Sequence, residues 1–396
     1  MTPSPLRILY SHRTKSTDGQ YVHIRALTDA LRARGCVLEI AGPDEAGAAA
    51  TRKLDGGEGS SLRAALPKPI YEAAELAYSA RGYQRLAAQA RAMNPDLLYE
   101  RYNLFYHAGV RLARARRLPF ILEINSPLAA ERARHGGLAL PKLARWSEGS
   151  IWRAADKVLP VTAELARMVE AAGVRPERIE VVWNGVEEQF LADLDGAPAR
   201  ARLGLGQRLV LGFTGFARDW HGLDKIIRYL ARAGRDDLHF LLVGDGDVAP
   251  GLKAEAARLG VADRLTITGV VQRDAVADYV AAFDIALQPA SVSYASPLKL
   301  VEYMAQARAI VAPDQSNIRE VMTDGVDGLL FAPDHEAALY RALDALVADE
   351  TLRRRLGGEA RLTVRRRNLT WAGNAARVEA IALSLLAARR RSAAIS

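Results

Sequence analysis

The sequence predicts an α/β protein made of two doubly wound, Rossmann-like domains that face a cleft. Short apolar segments alternate with segments of helical period along nearly the whole chain, which is typical of parallel sheets covered by helices. The alternation stops once, near residues 190–206, and then resumes as a second series. With 396 residues the chain is long enough for two domains of ordinary size.

The first series predicts a domain over residues 1–195. We predict strands in the segments RILYSH, VLEIAGP, PDLLYER, PFILEIN, KVLPVT and IEVVWNG. Helices are predicted in YVHIRALTDALRARG, in HAGVRLARARR and around residues 146–155. The segment that follows, EEQFLADLDGAPARARLGLGQR, contains loop-forming residues and has no strong strand pattern.

The second series predicts a domain over residues 206–365. Its strands are expected in LVLGFTGF, LHFLLVGDG, RLTITGV, DIALQPA and AIVAP, separated by four helical segments. The remaining segment, 366–396, has an amphipathic helical pattern, and we expect it to pack back toward the first domain.

Composition places the chain among soluble globular proteins. The apolar fraction is 49% and the charged fraction 25%, both ordinary values. A single cysteine, Cys36, excludes a disulfide framework and is expected to be buried at a helix end. The first residues lack the apolar core of a signal peptide, and no stretch approaches the roughly 18 apolar residues of a spanning helix. A cytoplasmic location is therefore predicted.

The net charge of +8 leaves two interpretations open. Basic runs at Arg353–Arg355, Arg365–Arg367 and Arg389–Arg391 could form a solvated basic face. They could instead bind a polyanion or the anionic inner face of the cytoplasmic membrane. Nucleic acid is not predicted as a partner, because no basic motif with interleaved aromatic residues is present.

The segment SPLKLVEYMAQA raises the question of function. We predict a helix with Ser296 at the N-cap and Pro297 at the first helical position. Lys299 and Glu302 then stand one turn apart, which predicts either a surface ion pair or an anion site at the helix N-terminus.

A second polar segment, TGFARDWHG, connects a predicted strand to a helix. Gly215, Arg218 and His221 in this connection suit a diphosphate, although a loop arginine can be merely solvated and His221 can cap the helix or stack on Trp220. The later LLVGDGD turn lacks the third glycine of a dinucleotide fingerprint, so we exclude an NAD site.

Together these residues predict a nucleoside diphosphate site that needs no metal or other cofactor. Arg218, Lys299 and a helix N-terminus would neutralise the diphosphate, and the Glu302 carboxylate can accept both ribose hydroxyls. No cluster with metal-ligand spacing, Walker loop or GxSxG elbow is present in the sequence.

The order of motifs resembles a known family. WNGV, TGFARDWHG, LVGDG, TGVV, SPLKLVEYMAQARAIV and IREVMTDGVDGLLF follow one another as in the retaining family-four glycosyltransferases of GT-B fold. The resemblance covers nearly the whole chain and is more specific in its second half. It implies a nucleotide-sugar donor held by the C-terminal domain, an acceptor held by the N-terminal domain, and retention of the anomeric configuration.

The resemblance also implies roles for individual residues. Glu302 matches the glutamate that bonds the donor ribose, and the loop beside the nucleobase is Gly269, Val270 and Val271. Further residues implied at the donor are Gly19, Gln20, Tyr294, Ser296, Pro297 and Leu298. Asn184 belongs to the interdomain NG signature, and Asn125 takes the place of a histidine near the reacting sugar.

This sequence departs from the family pattern in two respects. Tyr294 replaces the first of two glutamates, which leaves the identity of the sugar undefined. The usual GR…KG pair is also absent, so Arg218 and Lys299 become the substitute cations.

The leading functional prediction is a retaining glycosyltransferase that moves a sugar from a UDP, GDP or similar donor to a hydroxyl of a glycan or lipid-linked acceptor, as in polysaccharide or glycoconjugate biosynthesis. The alternatives are a sugar-nucleotide epimerase of the same fold and a non-catalytic nucleotide-sugar-binding protein.

Overall fold

A computed structural model describes residues 4–14, 19–42, 67–134 and 136–395. They form two compact units. The first unit runs to Trp183 and includes the chain again from Ala372, and the second runs from Asn184 to Trp371. The chain enters the second unit before the predicted 190–206 region, because Asn184 is already hydrogen-bonded to Ser296 of that unit.

The first unit contains a parallel sheet of five strands in the described residues, with the order β2-β1-β3-β4-β5. The strands are β1 (Arg7–Ser11), β2 (Val37–Ala41), β3 (Leu97–Arg101), β4 (Phe120–Ile124) and β5 (Lys157–Pro160). The helices are α1 (Gly19–Ala33), α2 (Lys68–Met93), α3 (Ala108–Arg116), α4 (Leu128–Arg134), α5 (Pro141–Ala154) and α6 (Ala163–Ala171). Because crossover connections are right-handed, α1 covers one face of the sheet and α2 to α5 cover the other.

The strand predicted in IEVVWNG does not form. The segment runs beside β5, where Glu180 N–H donates to the Val158 carbonyl and Val182 N–H to the Pro160 carbonyl, both at 3.0 Å. Only an isolated bridge between Val158 and Ile179 results. Pro160 has no N–H to donate in return, so the parallel ladder ends after one bridge.

The second unit contains a parallel sheet of six strands in the described residues, with the order β11-β10-β9-β6-β7-β8. The strands are β6 (Leu209–Thr214), β7 (Leu238–Val243), β8 (Leu265–Ile267), β9 (Ile285–Leu287), β10 (Ala309–Pro313) and β11 (Leu329–Phe331). The helices are α7 (Ala197–Arg202), α8 (Asp224–Ala233), α9 (Ala249–Arg258), α10 (Val276–Ala281), α11 (Leu298–Ala305), α12 (Ser316–Arg319), α13 (Glu336–Ala348) and α14 (Glu350–Arg366). Fully buried apolar residues of β6, β7 and α13, such as Phe213, Phe240 and Leu343, form its core.

The last helix, α15 (Trp371–Ile395), groups with the first unit from Ala372 onward. Asn374 donates to the Trp183 carbonyl at 2.7 Å, and Glu379 pairs with Arg34 at 2.5 Å. Near its end, Arg389 pairs with Asp156 at 2.8 Å. These contacts hold the helix along most of its length.

Several arginines of the basic runs contact other groups of the protein. Arg354 pairs with Glu350 and Arg366 with Glu359, and Arg353 donates to the Leu346 carbonyl. No helix in the described ranges has the length and apolar character needed to cross a bilayer.

Candidate active site

The strand order of the second unit places two loops side by side. Chain direction across the sheet reverses between β6 and β9, and ligands of doubly wound sheets bind beyond the carboxyl ends of the strands at such a point. The loop after β6 carries Arg218 and His221, and the loop after β9 leads into α11 with Lys299 and Glu302. Two segments about 80 residues apart in sequence therefore meet at one edge.

Lys299 lies against an aromatic ring at this edge. Its Nζ is 3.6 Å from the ring centroid of buried Phe213, and a Cβ atom at Gly215 would lie 3.6 Å from the same nitrogen. Burial lowers the pKa of Lys299 to about 7, although the Glu302 carboxylate acts in the opposite direction. Among the described residues, no carboxylate lies within ion-pairing distance of Lys299.

Arg218 is a second cation without a carboxylate partner in the described ranges. Its guanidinium stacks on Phe216 at 4.9 Å and on Trp220 at 5.2 Å, measured to the ring centroids. Both rings are themselves exposed, by 44% and 54%. The cation–π contacts hold the guanidinium in place while its N–H groups keep their capacity to donate.

His221 is neutral at this position. Burial, followed by the charge of Lys299, lowers its pKa to about 3. Its Nδ1 accepts the backbone N–H of Arg218 at 3.0 Å, and its ring lies beside Trp220 and Phe213. The predicted contact with Trp220 is present, but His221 does not cap the following helix α8, whose N-cap is Leu223, and its bond to Arg218 closes the turn Asp219–His221 instead. Because Nδ1 accepts, the neutral ring carries its proton on Nε2, which makes Nε2 a donor.

The glycines of the LVGDG segment have a structural reason. A Cβ atom at Gly244 would lie 2.2 Å from the Gly215 carbonyl oxygen, and one at Gly246 would lie 1.9 Å from that of Ala217. The loops after β6 and β7 therefore touch through their backbones, and a side chain at either glycine would push them apart. In the next loop along the edge, Gly269 has a φ of 73° and Val270 is 80% exposed.

Glu302 is buried and paired, but its partner is not Lys299. Its Oε1 lies 2.5 Å from Arg273 Nη2, and the residue is only 4% exposed. Arg273 also binds the Glu187 carboxylate through two nitrogens, and its guanidinium lies 5.0 Å from the Phe190 ring centroid. Burial alone would lower the pKa of Arg273, but the two carboxylates raise it. The surface ion pair expected as one alternative is therefore wrong, and Glu302 is held in one orientation by Arg273.

The predicted start of this helix is off by one residue. α11 begins at Leu298 with Pro297 at the N-cap, and Ser296 does not cap it. Instead, the Ser296 hydroxyl accepts the Asn184 N–H at 3.0 Å, and Asn184 Nδ2 donates to the Ser296 carbonyl at 2.7 Å. The first residues of the second unit are thus fastened to the segment that begins α11.

Tyr294 lies in a loop whose backbone is hydrogen-bonded to Asn317. The tyrosine is buried, and fully buried Asn317 donates to the carbonyls of Val292 and Ala295 at 3.1 and 2.7 Å. The residue in place of the family's first glutamate is therefore part of an ordered loop at the edge of the sheet.

In the first unit, Asn125 follows β4 at the carboxyl edge. Its Nδ2 donates to Glu123, which also accepts from Arg101 and from the Tyr99 hydroxyl, both at 2.7 Å. His23 lies 3.0 Å from the same carboxylate. Burial alone would raise the pKa of Glu123, but His23 and Arg101 hold it well below its usual range. Because Glu123 only accepts, Asn125 must turn its amide nitrogen inward, and its carbonyl oxygen is left as the group for other contacts.

Gly19 and Gln20 are the first two residues of α1, the helix that follows β1 in the chain. Residues 15–18, which complete the predicted glycine-rich loop, lie outside the described residues.

Sequence reasoning missed Arg273, Glu187 and Phe213. Arg273 follows the TGVV loop by two residues, but nothing local in VVQRDAV distinguishes it from a solvated arginine. Phe213 reads only as a buried strand residue. A buried carboxylate needs a partner, and that requirement was the available signal for Arg273.

Solved structures share this architecture. The chain superposes on a glycosyltransferase from Rickettsia africae with a TM-score of 0.76 and 15% identity, covering 96% of this chain and 99% of the other. The complex of Anabaena HepE with UDP and glucose superposes with a TM-score of 0.72 and 19% identity, covering 96% of this chain and 99% of the other. The sucrose-phosphate synthase from Thermosynechococcus elongatus superposes with a TM-score of 0.73 and 18% identity, covering 99% of this chain and 100% of the other. The fold is therefore the GT-B fold of two parallel-sheet domains.

Sequence comparison defines the family. Residues 17–190 match the family described as Glycosyltransferase Family 4, and residues 208–349 match Glycosyl transferases group 1. The D-inositol 3-phosphate glycosyltransferase of Kribbella flavida is 30% identical over 72% of this chain and 71% of its own length. The chain belongs to family 4 of the glycosyltransferases.

Other relatives are matched over shorter parts. The alpha-D-kanosaminyltransferase of Streptomyces kanamyceticus is 28% identical over 55% of this chain and 58% of its own length. The D-inositol 3-phosphate glycosyltransferase of Nocardia farcinica is 29% identical over 66% and 61%. The chain thus spans about three fifths of the length of these two relatives.

Proposed function

We propose that the chain is a retaining glycosyltransferase that moves a sugar from a nucleoside-diphosphate donor to a hydroxyl of a glycan or lipid-linked acceptor. One observation carries the proposal. At the switch point of the second sheet, Arg218 and Lys299 have no carboxylate partner in the described residues, and a buried carboxylate, Glu302, stands one turn beyond Lys299. This arrangement of charge suits a diphosphate attached to a ribose.

The division of labour follows from the chemistry of each group. Arg218 and Lys299 bind the diphosphate and stabilise the charge that develops when it leaves, and Nε2–H of His221 is a further donor. Glu302, held through one oxygen by Arg273, accepts the ribose hydroxyls. Side chains supply the positive charge in this proposal, and in the described residues no group of three or more His, Cys, Asp or Glu could hold a metal ion.

The comparisons support the donor class. Anabaena HepE, which shares the fold, has been crystallised with UDP and with UDP-glucose. Relatives of this chain are transferases of kanosaminyl groups or act on D-inositol 3-phosphate. We propose UDP as the first nucleotide to test, a cytoplasmic location, and an acceptor in polysaccharide or glycoconjugate synthesis. Retention would follow from attack on the face from which the diphosphate departs, with no side chain assigned as covalent nucleophile.

The test is nucleotide release from a panel of nucleotide sugars, with and without candidate acceptors. We expect UDP release that depends on the acceptor and is lost in Glu302→Gln and Lys299→Met. Glu255→Gln and Lys253→Met, which make the same changes on the surface helix α9, should keep activity. The anomeric configuration of the product, read by NMR, tests retention.

The same experiment separates the two alternatives. A sugar-nucleotide epimerase would convert donor without any acceptor. A non-catalytic binder would be stabilised by UDP in thermal denaturation, yet no pair of donor and acceptor would react. Full turnover in both Glu302→Gln and Lys299→Met would contradict the proposed site.

A further inference from the structure

The loop after β6 exposes two aromatic rings. Phe216 and Trp220 are 44% and 54% exposed, and no other aromatic side chain in residues 184–371, all of which the structure describes, is exposed. Single exposed apolar residues are ordinary, but two large rings within five residues of one loop form a local feature that packing does not explain. Their common neighbour is the Arg218 guanidinium, which both rings contact.

The backbone around Arg218 is fixed by hydrogen bonds, but its side chain needs separate contacts to be ordered. Ala217 N–H donates to the Asp245 carbonyl at 2.7 Å, and His221 N–H donates to the Arg218 carbonyl at 3.0 Å. Beyond this anchored backbone the arginine side chain has several rotatable bonds, so fixing it in one conformation costs side-chain entropy. A ligand binds more tightly when contacts within the protein have already met that cost.

A carboxylate can order an arginine, but it also occupies the N–H groups. Arg273 of the same unit is in that situation, since the carboxylates of Glu187 and Glu302 both bind it. Arg218 has two rings in their place, at 4.9 and 5.2 Å, and no described residue accepts a hydrogen bond from its guanidinium. A ring attracts a cation through its face and leaves the N–H groups able to donate. The contacts of Arg218 therefore order it without using its donors.

We propose that Phe216 and Trp220 are positioning residues, which orient the Arg218 guanidinium before the diphosphate of a nucleotide sugar binds. The inference rests on the proposed function, because it takes Arg218 as a ligand of the diphosphate. The two rings act through Arg218 and make no contact of their own with the nucleotide. Phe216 stands at the position of the arginine in the GR…KG pair. In this chain that position thus supplies a ring that orders a cation two residues further on.

A double-mutant cycle on the affinity for UDP, measured by calorimetry with the full chain, tests the proposal. Trp220→Ala and Phe216→Ala should each weaken binding about 5-fold, which is the worth of one cation–π contact near the surface. Trp220→Phe should retain part of the affinity. In the Arg218→Met background the same alanine replacements should change the affinity less than twofold, because the group on which the rings act is gone. The matched control is Tyr279→Ala, which removes the ring that Arg202 contacts at 4.7 Å elsewhere in the unit and should bind UDP like the unaltered protein.

Inorganic pyrophosphate, in competition with UDP, gives a second measurement. Its affinity should fall by the same factor of about 5 in Trp220→Ala, because the effect is on the diphosphate. An unchanged affinity for pyrophosphate, together with weaker UDP binding, would mean that the ring contacts the nucleoside, and would overturn the proposal. Circular dichroism checks that each variant is folded.

The cycle also separates this inference from the proposed function. If Arg218→Met binds UDP like the unaltered protein, the proposed diphosphate site is wrong and the inference falls with it. If Arg218→Met weakens UDP binding but Trp220→Ala and Phe216→Ala change it less than twofold, the inference alone is overturned. A loss of twofold or more from either alanine replacement in the Arg218→Met background would also overturn it, as would equal weakening in Tyr279→Ala.

Discussion

Two buried charges at the carboxyl edges of the two sheets, Glu123 and Lys299, have opposite surroundings. In the first unit, Glu123 is surrounded by Arg101, His23, Tyr99 and Asn125, so its charge is fully matched. In the second unit the described residues give Lys299 no carboxylate partner. A matched charge stabilises and orients its neighbours, whereas an unmatched one remains available to a ligand. The same fold thus surrounds the Glu123 carboxylate with partners in one unit and leaves the Lys299 ammonium without a carboxylate in the other.

The largest effect is expected from removing the matched charge of Glu123. Glu123→Gln removes the negative charge but leaves Arg101 and His23 buried beside each other. Losing one partner of a buried pair costs about 3–5 kcal/mol, so the free energy of unfolding of the first unit should fall by that amount in urea denaturation. Asp237→Asn, which breaks an exposed pair with Arg235, should cost at most about 1 kcal/mol. Equal effects of the two variants would mean that burial does not make the Glu123 pairing more important than an exposed ion pair.

Removing the unmatched charge of Lys299 should affect stability in the opposite direction. Lys299→Met removes a cation that is desolvated over Phe213, so the free energy of unfolding should stay the same or rise. Affinity for UDP, measured by calorimetry, should fall roughly 10- to 150-fold, because a charged hydrogen bond is worth roughly 1.5–3 kcal/mol. A clear loss of stability with unchanged UDP affinity would mean that Lys299 is a structural residue.

A smaller effect is expected at Arg273, which we assign as the residue that positions Glu302. Arg273→Ala should weaken UDP binding about 10-fold, and Arg273→Lys should restore part of the loss. The specific readout is the preference for UDP over 2′-deoxy-UDP, which should be present in the unaltered protein and absent in Arg273→Ala and Glu302→Gln. A merely structural role would weaken both nucleotides equally. Arg258→Ala, which breaks an exposed pair with Glu255, is the control.

The smallest effect concerns pH. Because burial lowers the pKa of Lys299 to about 7, the free protein loses this charge as pH rises through 7. Affinity for UDP-glucose, whose diphosphate does not titrate in this range, should therefore fall by at most about tenfold per pH unit above 7. His221 does not contribute, since its pKa of about 3 keeps it neutral throughout. Lys299→Arg should flatten the profile, because arginine stays charged. An unchanged slope in that variant would assign the dependence to another group.

Much of the fold followed from local pattern, and the failures have causes outside the local segment. Every strand predicted in the second unit is present, and so is the division into two units. Periodicity predicts them because a buried strand needs a short apolar run and an amphipathic helix needs apolar residues at helical spacing. IEVVWNG shows the same apolar pattern, yet Pro160 on the neighbouring strand prevents the ladder. Ser296 has the residue type of an N-cap, but its hydroxyl accepts the N–H of Asn184, which lies 112 positions away in the sequence. In both cases the deciding atom belongs to a distant part of the chain.

By itself, the sequence predicted that two alternating units would form, and it singled out Arg218, Lys299 and Glu302 as candidate site residues of the second unit. Hydrophobic period and motif order are written along the chain and need no partner to be read. Only the tertiary structure decided that Glu302 pairs with Arg273 and that Lys299 rests on Phe213. Ion pairing and desolvation depend on which residues become neighbours in space, and the crossovers of the sheet, not sequence distance, set those neighbours.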